Sequence, residues 1–384
     1  MPIPKKSILF LNENALPAIF TRGTISGKEL RLRTAIEAIE EVHVISRRGA
    51  YVASHHTHQT PLEEKVIIHL LPPWPYYLSP LPLFFAGWYW AKKIHPLTIE
   101  AESPHLSGPV AVILGKLTHT PSLVEVRTTL EEMLKHRLKP IPLPVKNYIL
   151  AAVQSWTLRH ATAIVVNSNT YYHRLLKDGR TATIINPGLQ YVPPLSPPKP
   201  TSSPIIFGYL GRLVPEKGVS LLLTAIRDIS LAGRVPPFKV EIAGDGPERP
   251  LLTQLAADYD ILHLVTFLGQ VDNYTILKHW DMMVNPCLVN APLEMANAEA
   301  AYMGVPVICF GNKDYPETVK PGQTGLRVAP KTSGSLAKAI RYLLTNPTIL
   351  NYMKNQSPRF ALEKYAFDTQ VKRLHSLYQK LHLI

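Results

Sequence analysis

One pattern constrains this chain more than any other. Short uninterrupted apolar runs alternate with longer segments whose apolar residues recur every three to four positions. The pattern occurs twice, on either side of a proline-rich break. In the first half Ser7–Asn12, Val42–Ser46, Val66–Leu71, Leu123–Val126, Ala163–Asn167 and Thr183–Asn186 read as strands. Lys28–Ile39, Val110–Leu117 and Tyr148–Arg159 read as helices. Strands without polar alternation are buried on both faces, which is the condition of a parallel sheet covered by helices. The second half repeats the scheme. Its strands are Ile205–Leu210, Lys239–Ala243, Val265–Leu268, Met282–Val284 and Val305–Phe310, and its helices Val219–Ile229, Leu251–Asp258 and Glu294–Met303. The predicted architecture is α/β, two Rossmann-like domains facing across a cleft. The first spans 1–191, a stiff linker 192–204 follows, and the second spans 205–365. Open sheets of this kind bind ligands beyond the carboxyl ends of their strands.

Composition narrows the class. Hydrophobic residues make up 46% and charged residues 18%, which excludes a disordered chain. The 36 prolines lie mostly between apolar runs and punctuate loops. Two cysteines, Cys287 and Cys309, make neither a disulfide framework nor a thiol metal site, so the expected compartment is a reducing cytoplasm. Lys5 and Lys6 precede Ile8–Leu11, but Asn12-Glu13-Asn14 cuts that run short of a secretory leader. Positive charge is concentrated in the first half: residues 1–200 carry 22 Lys and Arg against 13 Asp and Glu, residues 201–384 carry 19 against 15. That points to an anionic partner, either a phosphorylated ligand or a membrane surface. No nucleic-acid motif is present, and no nucleic-acid partner is expected.

Three segments carry chemistry. In Gly208–Gly218 a strand ends at Gly211, and a turn through Pro215 and Gly218 leads into a helix. Arg212 and Lys217 bring two cations to that turn, where glycines let the backbone approach an anion. An ordinary turn with two surface cations fits the same residues. Ala243-Gly244-Asp245-Gly246-Pro247 follows the next strand, either as a close-approach loop or as a plain tight turn. In Asn290–Val307 a helix ends at Gly304, and Glu299 sits within it amid small residues, where a carboxylate needs a partner or a ligand hydroxyl.

In this order and spacing the segments resemble the retaining, GT-B-fold glycosyltransferases of family four (glycosyl transferases group 1). The resemblance rests on Gly211-Arg212, Lys217-Gly218, Gly244-Asp245-Gly246-Pro247, Phe267-Leu268-Gly269, Pro286, Glu299 with Gly304-Val305-Pro306-Val307, and Gly322-Gln323-Thr324-Gly325-Leu326. It covers the second half nearly throughout and the first half loosely, where Asn186-Pro187-Gly188 resembles the hinge turn. It implies transfer of a sugar, with an α-linkage, from a nucleotide-diphosphate-sugar to a glycan, lipid or lipid-linked acceptor. The nucleotide-sugar is a substrate, and neither a metal nor a cofactor is implied. Arg212 and Lys217 would hold the diphosphate and stabilise the leaving group. Glu299 would accept from the ribose hydroxyls. Gly244 and Gly246 would admit the nucleoside, with Gly269 and Gln270 near the base and Leu293 among the donor contacts. The backbone at Gly23, after the first strand, would meet the diphosphate. A last helix, about 366–384, would pack back on the first domain.

Two departures stand out. The family pattern has two Glu eight positions apart; Glu299 fills the second, and the first falls on Ala291. Glu294 is the substitute that a shifted loop would supply. The histidine that the family often has after the Leu123–Val126 strand is replaced by Arg127, which could bind a phosphate or the acceptor but not act as a base. An inactive nucleotide-sugar-binding scaffold and a nucleotide-sugar epimerase are the rival readings. Asp258-Tyr259-Asp260 reads as solvated loop rather than a metal motif, and His105 as a loop residue or one lining the cleft.

Leu70–Ala91 is uncharged for 22 residues but contains Pro72, Pro73, Pro75, Pro80 and Pro82, which argue against spanning a bilayer. Its aromatics, followed by Lys92 and Lys93, suit a membrane interface, and Lys135-His136-Arg137-Leu138-Lys139 adds a second basic run. A buried apolar segment under the sheet is the other reading. The expected location is therefore cytoplasmic, with peripheral contact to the anionic inner face of the membrane.

Overall fold

The computed structural model describes residues 5–15, 32–47, 65–72, 78–127, 143–189, 192–194, 197–198, 200–201, 203–289, 293–311 and 316–384. The chain divides into two compact units: residues 1–188 with 367–384, and residues 189–366.

The first unit is built on strands β1 (Ser7–Ala15), β2 (Glu41–Arg47), β3 (Val66–Leu71), β4 (Thr98–Ala101), β5 (Ser122–Val126), β6 (Ala163–Val166) and β7 (Thr183–Ile184). They run parallel in the order β3-β2-β1-β4-β5-β6-β7. Successive residues of β1 serve opposite faces, as the strand period of two requires. Leu9 and Leu11 pack with helices α1 (Pro80–Ile94) and α2 (Ser107–Thr118). Ile8 and Phe10 pack with Leu32, Ile36 and, from the C-terminal helix α11 (Phe367–Lys380), Leu374, Leu377 and Tyr378. Helices α3 (Leu143–His160) and α4 (Asn169–Lys177) complete the layer over β5 and β6.

The second unit has strands β8 (Ile205–Leu210), β9 (Phe238–Ala243), β10 (Val265–Gly269), β11 (Met282–Asn285), β12 (Val307–Phe310) and β13 (Gly325–Val328). Their order, β10-β9-β8-β11-β12-β13, repeats that of the first six strands of the first sheet, and again every pair is parallel. Helices α5 (Val219–Ala232), α6 (Arg249–Asp258), α7 (Asn273–Leu277), α8 (Met295–Tyr302), α9 (Ser333–Thr345) and α10 (Pro347–Tyr365) cover it. The segment read as a linker joins this unit: the Tyr302 hydroxyl donates to the Pro193 carbonyl at 2.6 Å and the Thr201 hydroxyl to Asn351 Oδ1 at 2.7 Å.

Two differences from the sequence reading have physical causes. Strand β4 is absent from that reading because its four residues, Thr-Ile-Glu-Ala, carry an acid where an apolar residue is expected; Glu100 is nonetheless fully buried. Leu70–Ala91 is not one segment: Leu70 and Leu71 end β3, and α1 begins at Pro80. Pro80 and Pro82 fall in its first turn, where backbone N–H groups have no helical partner and proline costs nothing.

Candidate active site

In both sheets the strand order reverses beside the first strand, and that reversal is where open α/β sheets bind ligands. In the second unit it lies between β8 and β11. Two loops leave the carboxyl ends of these strands, Gly211–Gly218 after β8 and the segment from Pro286 to Glu294 after β11. A single 3₁₀ turn, Pro215–Lys217, shapes the first loop, and Gly218 ends it at φ +67°. A side chain at Gly218 would be strained there and would bring Cβ within 2.3 Å of the Pro286 carbonyl oxygen. The Leu288 N–H donates to the Glu216 carbonyl at 2.8 Å. The two loops are thus held backbone to backbone.

This contact brings Lys217 and Glu294 together. Lys217 Nζ donates to both carboxylate oxygens of Glu294, at 3.1 and 3.0 Å, and lies 3.8 Å from Cys287 Sγ. Burial works against the ammonium charge, but Glu294 outweighs it and raises the Lys217 pKa. Burial also pushes the Cys287 thiol up, against the pull of Lys217. Arg212, on the same loop, is exposed, and among the described residues it pairs with no carboxylate. Its charge nevertheless acts on Lys217, working weakly against that rise. The turn therefore holds two cations of unlike status, one exposed and one paired to an acid.

The two loop glycines have a reason within the chain itself. Cβ atoms at Gly244 and Gly246 would fall 1.8 Å from the Gly211 oxygen and 2.3 Å from the Leu213 oxygen. The Gly211 N–H donates to the Ala243 carbonyl at 3.0 Å and the Leu213 N–H to Asp245 at 2.9 Å, so the loops after β8 and β9 lie side by side. Gly269 adopts φ +70° and accepts from the Gly244 N–H at 2.6 Å; Gln270 beside it is exposed.

Glu299 sits inside α8, only 7% exposed, and accepts from Asn273 Nδ2 at 3.0 Å. Asn297, fully buried two residues earlier in the same helix, accepts from Asn285 Nδ2 at 2.7 Å and donates to the Thr318 hydroxyl at 3.1 Å. That chain ties the end of β11 to α8. Leu293 packs, partly buried, on the apolar cluster containing Ala298 and Tyr302. Gly23 and Ala291 lie outside the described residues.

The first unit holds Arg127 at the end of β5, with its guanidinium on Glu125 (Nε to Oε2, 2.6 Å) and 3.7 Å from Glu102. Behind it Arg33, 1% exposed, donates to Glu100 Oε2 at 2.9 and 2.7 Å and pairs with Glu125. The Tyr378 hydroxyl donates to Glu100 Oε1 at 2.5 Å. Burial opposes the Glu125 charge, but Arg127 and Arg33 prevail and hold its pKa below the ordinary carboxylate value. Sequence reading missed Arg33, Glu100 and Tyr378, which lie far apart along the chain and form no local motif. His105 is 2% exposed, so it is a buried residue rather than an open loop histidine. Among the described residues no three His, Cys, Asp or Glu side chains gather into a metal-binding group.

Comparison with known proteins fits this geometry. Residues 196–360 match the family described as glycosyl transferases group 1. Glycogen synthase of Mycobacterium tuberculosis is 29% identical over 204 residues, 51% of this chain and 49% of that protein. The GDP-mannose-dependent alpha-(1-6)-phosphatidylinositol monomannoside mannosyltransferase of the same species is 31% identical over 174 residues, 43% and 45% of the two chains. The chain thus spans about half the length of the curated relatives it matches. Sucrose-phosphate synthase from Thermosynechococcus elongatus superposes with a TM-score of 0.78 at 19% identity, covering 98% of this chain and 99% of the other. Anabaena HepE in complex with UDP gives 0.76 at 18%, covering 97% and 100%. The two parallel-sheet units therefore match GT-B glycosyltransferases in fold, and the family match falls within the second unit.

Proposed function

We propose that this protein is a retaining, metal-independent glycosyltransferase. It moves a sugar from a nucleotide-diphosphate-sugar to a glycan, lipid or lipid-linked acceptor and leaves an α-linkage. The observation that carries the reading is the Arg212–Lys217 turn at the point where the strand order of the second sheet reverses. Breaking the bond between sugar and diphosphate puts negative charge on the leaving group and positive character on the ring. Fixed cations where that charge develops are the largest catalytic contribution available. Lys217 receives the diphosphate while its salt bridge with Glu294 keeps it charged and aimed; Arg212 supplies the second cation. Glu294, held by Lys217, is the carboxylate for the donor-sugar hydroxyls in place of the one Ala291 lacks. Glu299 accepts from the ribose, Gln270 and Gly269 border the base, and Gly244, Gly246 and Leu293 complete the donor contacts. Arg127 receives the acceptor or its phosphate. The protein works at the cytoplasmic face of a membrane.

The test is a thermal-shift screen against nucleoside diphosphates and their sugars. One nucleotide stabilises the protein, and Arg212→Ala abolishes that shift, since each charge-assisted hydrogen bond contributes about 1.5–3 kcal/mol. Sugar transfer with the stabilising donor, its product read by NMR for the anomeric configuration, then establishes the α-linkage. Binding without turnover across donors and acceptors leaves only the scaffold.

A further inference from the structure

Helices α1, α2 and α3 cover the same face of the first sheet and touch in sequence. Gly87 of α1 lies against Leu114 of α2, and Gly108 of α2 against Thr157 of α3. Their inward sides pack on the sheet, as α1 does through Leu83 and Ala91. Their outward sides keep large apolar groups in water. On α1, Leu81, Phe85 and Tyr89 are 62%, 68% and 57% exposed, at the i, i+4, i+8 spacing of one helical stripe. Leu117 of α2 and Tyr148 and Trp156 of α3 extend the apolar surface. An exposed apolar stripe of this kind marks an interaction site.

Charge identifies the partner. None of the three helices contains an aspartate or a glutamate. The cations are exposed and sit against the aromatics: Lys92 Nζ is 4.4 Å from the Trp88 ring centroid, Lys93 Nζ 4.7 Å from Trp90, and Lys116 Nζ 5.6 Å from Trp156. A face of aromatics interleaved with cations and free of acids complements a bilayer surface. There, ring systems settle at headgroup depth and ammonium groups meet lipid phosphates. Among the described residues no helix is long and apolar enough to cross a membrane, so the contact is peripheral. A second copy would bring the same cations face to face.

We infer that the outer face of α1, α2 and α3 docks on an anionic lipid bilayer. This deepens the transferase reading, since it would hold the first unit against a membrane that carries a lipid-linked acceptor, and it rests on that reading only for its purpose.

The experiment is vesicle flotation of the full chain with phosphatidylcholine alone and with phosphatidylcholine containing about a third phosphatidylglycerol, repeated at high salt. The protein floats with the anionic vesicles, stays behind with the neutral ones, and is released by salt. Phe85→Glu and the pair Lys92→Glu/Lys93→Glu each lower partitioning at least about tenfold, two reversed charges near a surface being ample for that. Because these side chains are solvent-exposed, both variants should unfold at the temperature of the parent and keep its nucleotide-induced thermal shift. That shift separates failure here from failure of the donor reading. Equal flotation of parent and variants, equal binding to neutral vesicles, or no flotation at all would overturn the inference. So would a dimer in light scattering that Phe85→Glu makes monomeric without any lipid binding by the parent.

Discussion

The side chains on which the candidate site turns are those whose charge the surroundings have already settled. Lys217 keeps its proton against burial because Glu294 faces it at 3.0 Å. The price of such an arrangement is clearest in the first unit, where Arg33, Glu100 and Glu125 are all but excluded from solvent. A buried ion pair contributes little by existing, whereas removing one partner strands the other charge. Arg33→Ala would leave two carboxylates in the core and should cost the first unit about 3–5 kcal/mol. Tyr378→Phe removes only one hydrogen bond to Glu100 and should cost about 1–3 kcal/mol. Urea denaturation monitored on the first unit checks both, and equal stability of parent and Arg33→Ala would contradict the buried network. Arg33, Glu100 and Tyr378 are not legible as a set in the sequence, because they come from a segment before β2, from β4 and from α11. Arg212 and Lys217, by contrast, lie in one loop and were readable there.

At the scale of elements, most strands and the turns that follow them were legible, and the short strands β4 and β13 were not. Nearly every expected strand is present, because fully buried parallel strands leave an unbroken apolar run. β4 escaped because its central acid is neutralised by residues distant in sequence. The edge strand β3 offers a pH test. His69 on it stacks on Trp90 with ring centroids 3.7 Å apart, and its Nε2 lies 2.9 Å from His43 Nδ1. Burial, then the His43 and Lys93 charges, lower its pKa from 6.5 to about 4. With the folded value below the unfolded one, the stabilisation is whole above about pH 6.5. It is lost progressively as the pH falls towards 4, because only the unfolded chain takes up the proton in that window. Thermal unfolding between pH 7 and pH 4 should therefore fall more steeply for the parent than for His69→Gln; parallel curves would show that this histidine does not titrate as argued.

Over the whole molecule, each unit packs its apolar clusters against its own sheet, the six strands of the second sheet follow the order of the first six of the first, and helix α11 belongs with the first unit. Leu374, Leu377 and Tyr378 of α11 close the core over Ile8 and Phe10. Ending the chain after Ala366 should therefore lower the melting transition of the first unit by several degrees or unfold it, while the second unit's transition is nearly unmoved. Calorimetry, or limited proteolysis followed by mass spectrometry, distinguishes the two units. Loss of both together would show that the second core depends on α11.

Local order along the chain was enough to specify the α/β class, the repeat of strand-helix alternation in two halves, and the cation-bearing turn after the first strand of the second sheet. These depend on periodicity and on residues within a dozen positions of one another, where backbone geometry dominates. Tertiary structure alone decided that Glu294 partners Lys217 and that two glycines make room for neighbouring backbone rather than only for a ligand. It alone decided that Glu100 survives in a core and that three acid-free helices share one outer face. Each of those is a contact between segments far apart in sequence, created by the order in which parallel strands lie down, and strand order leaves no periodic trace in a linear chain.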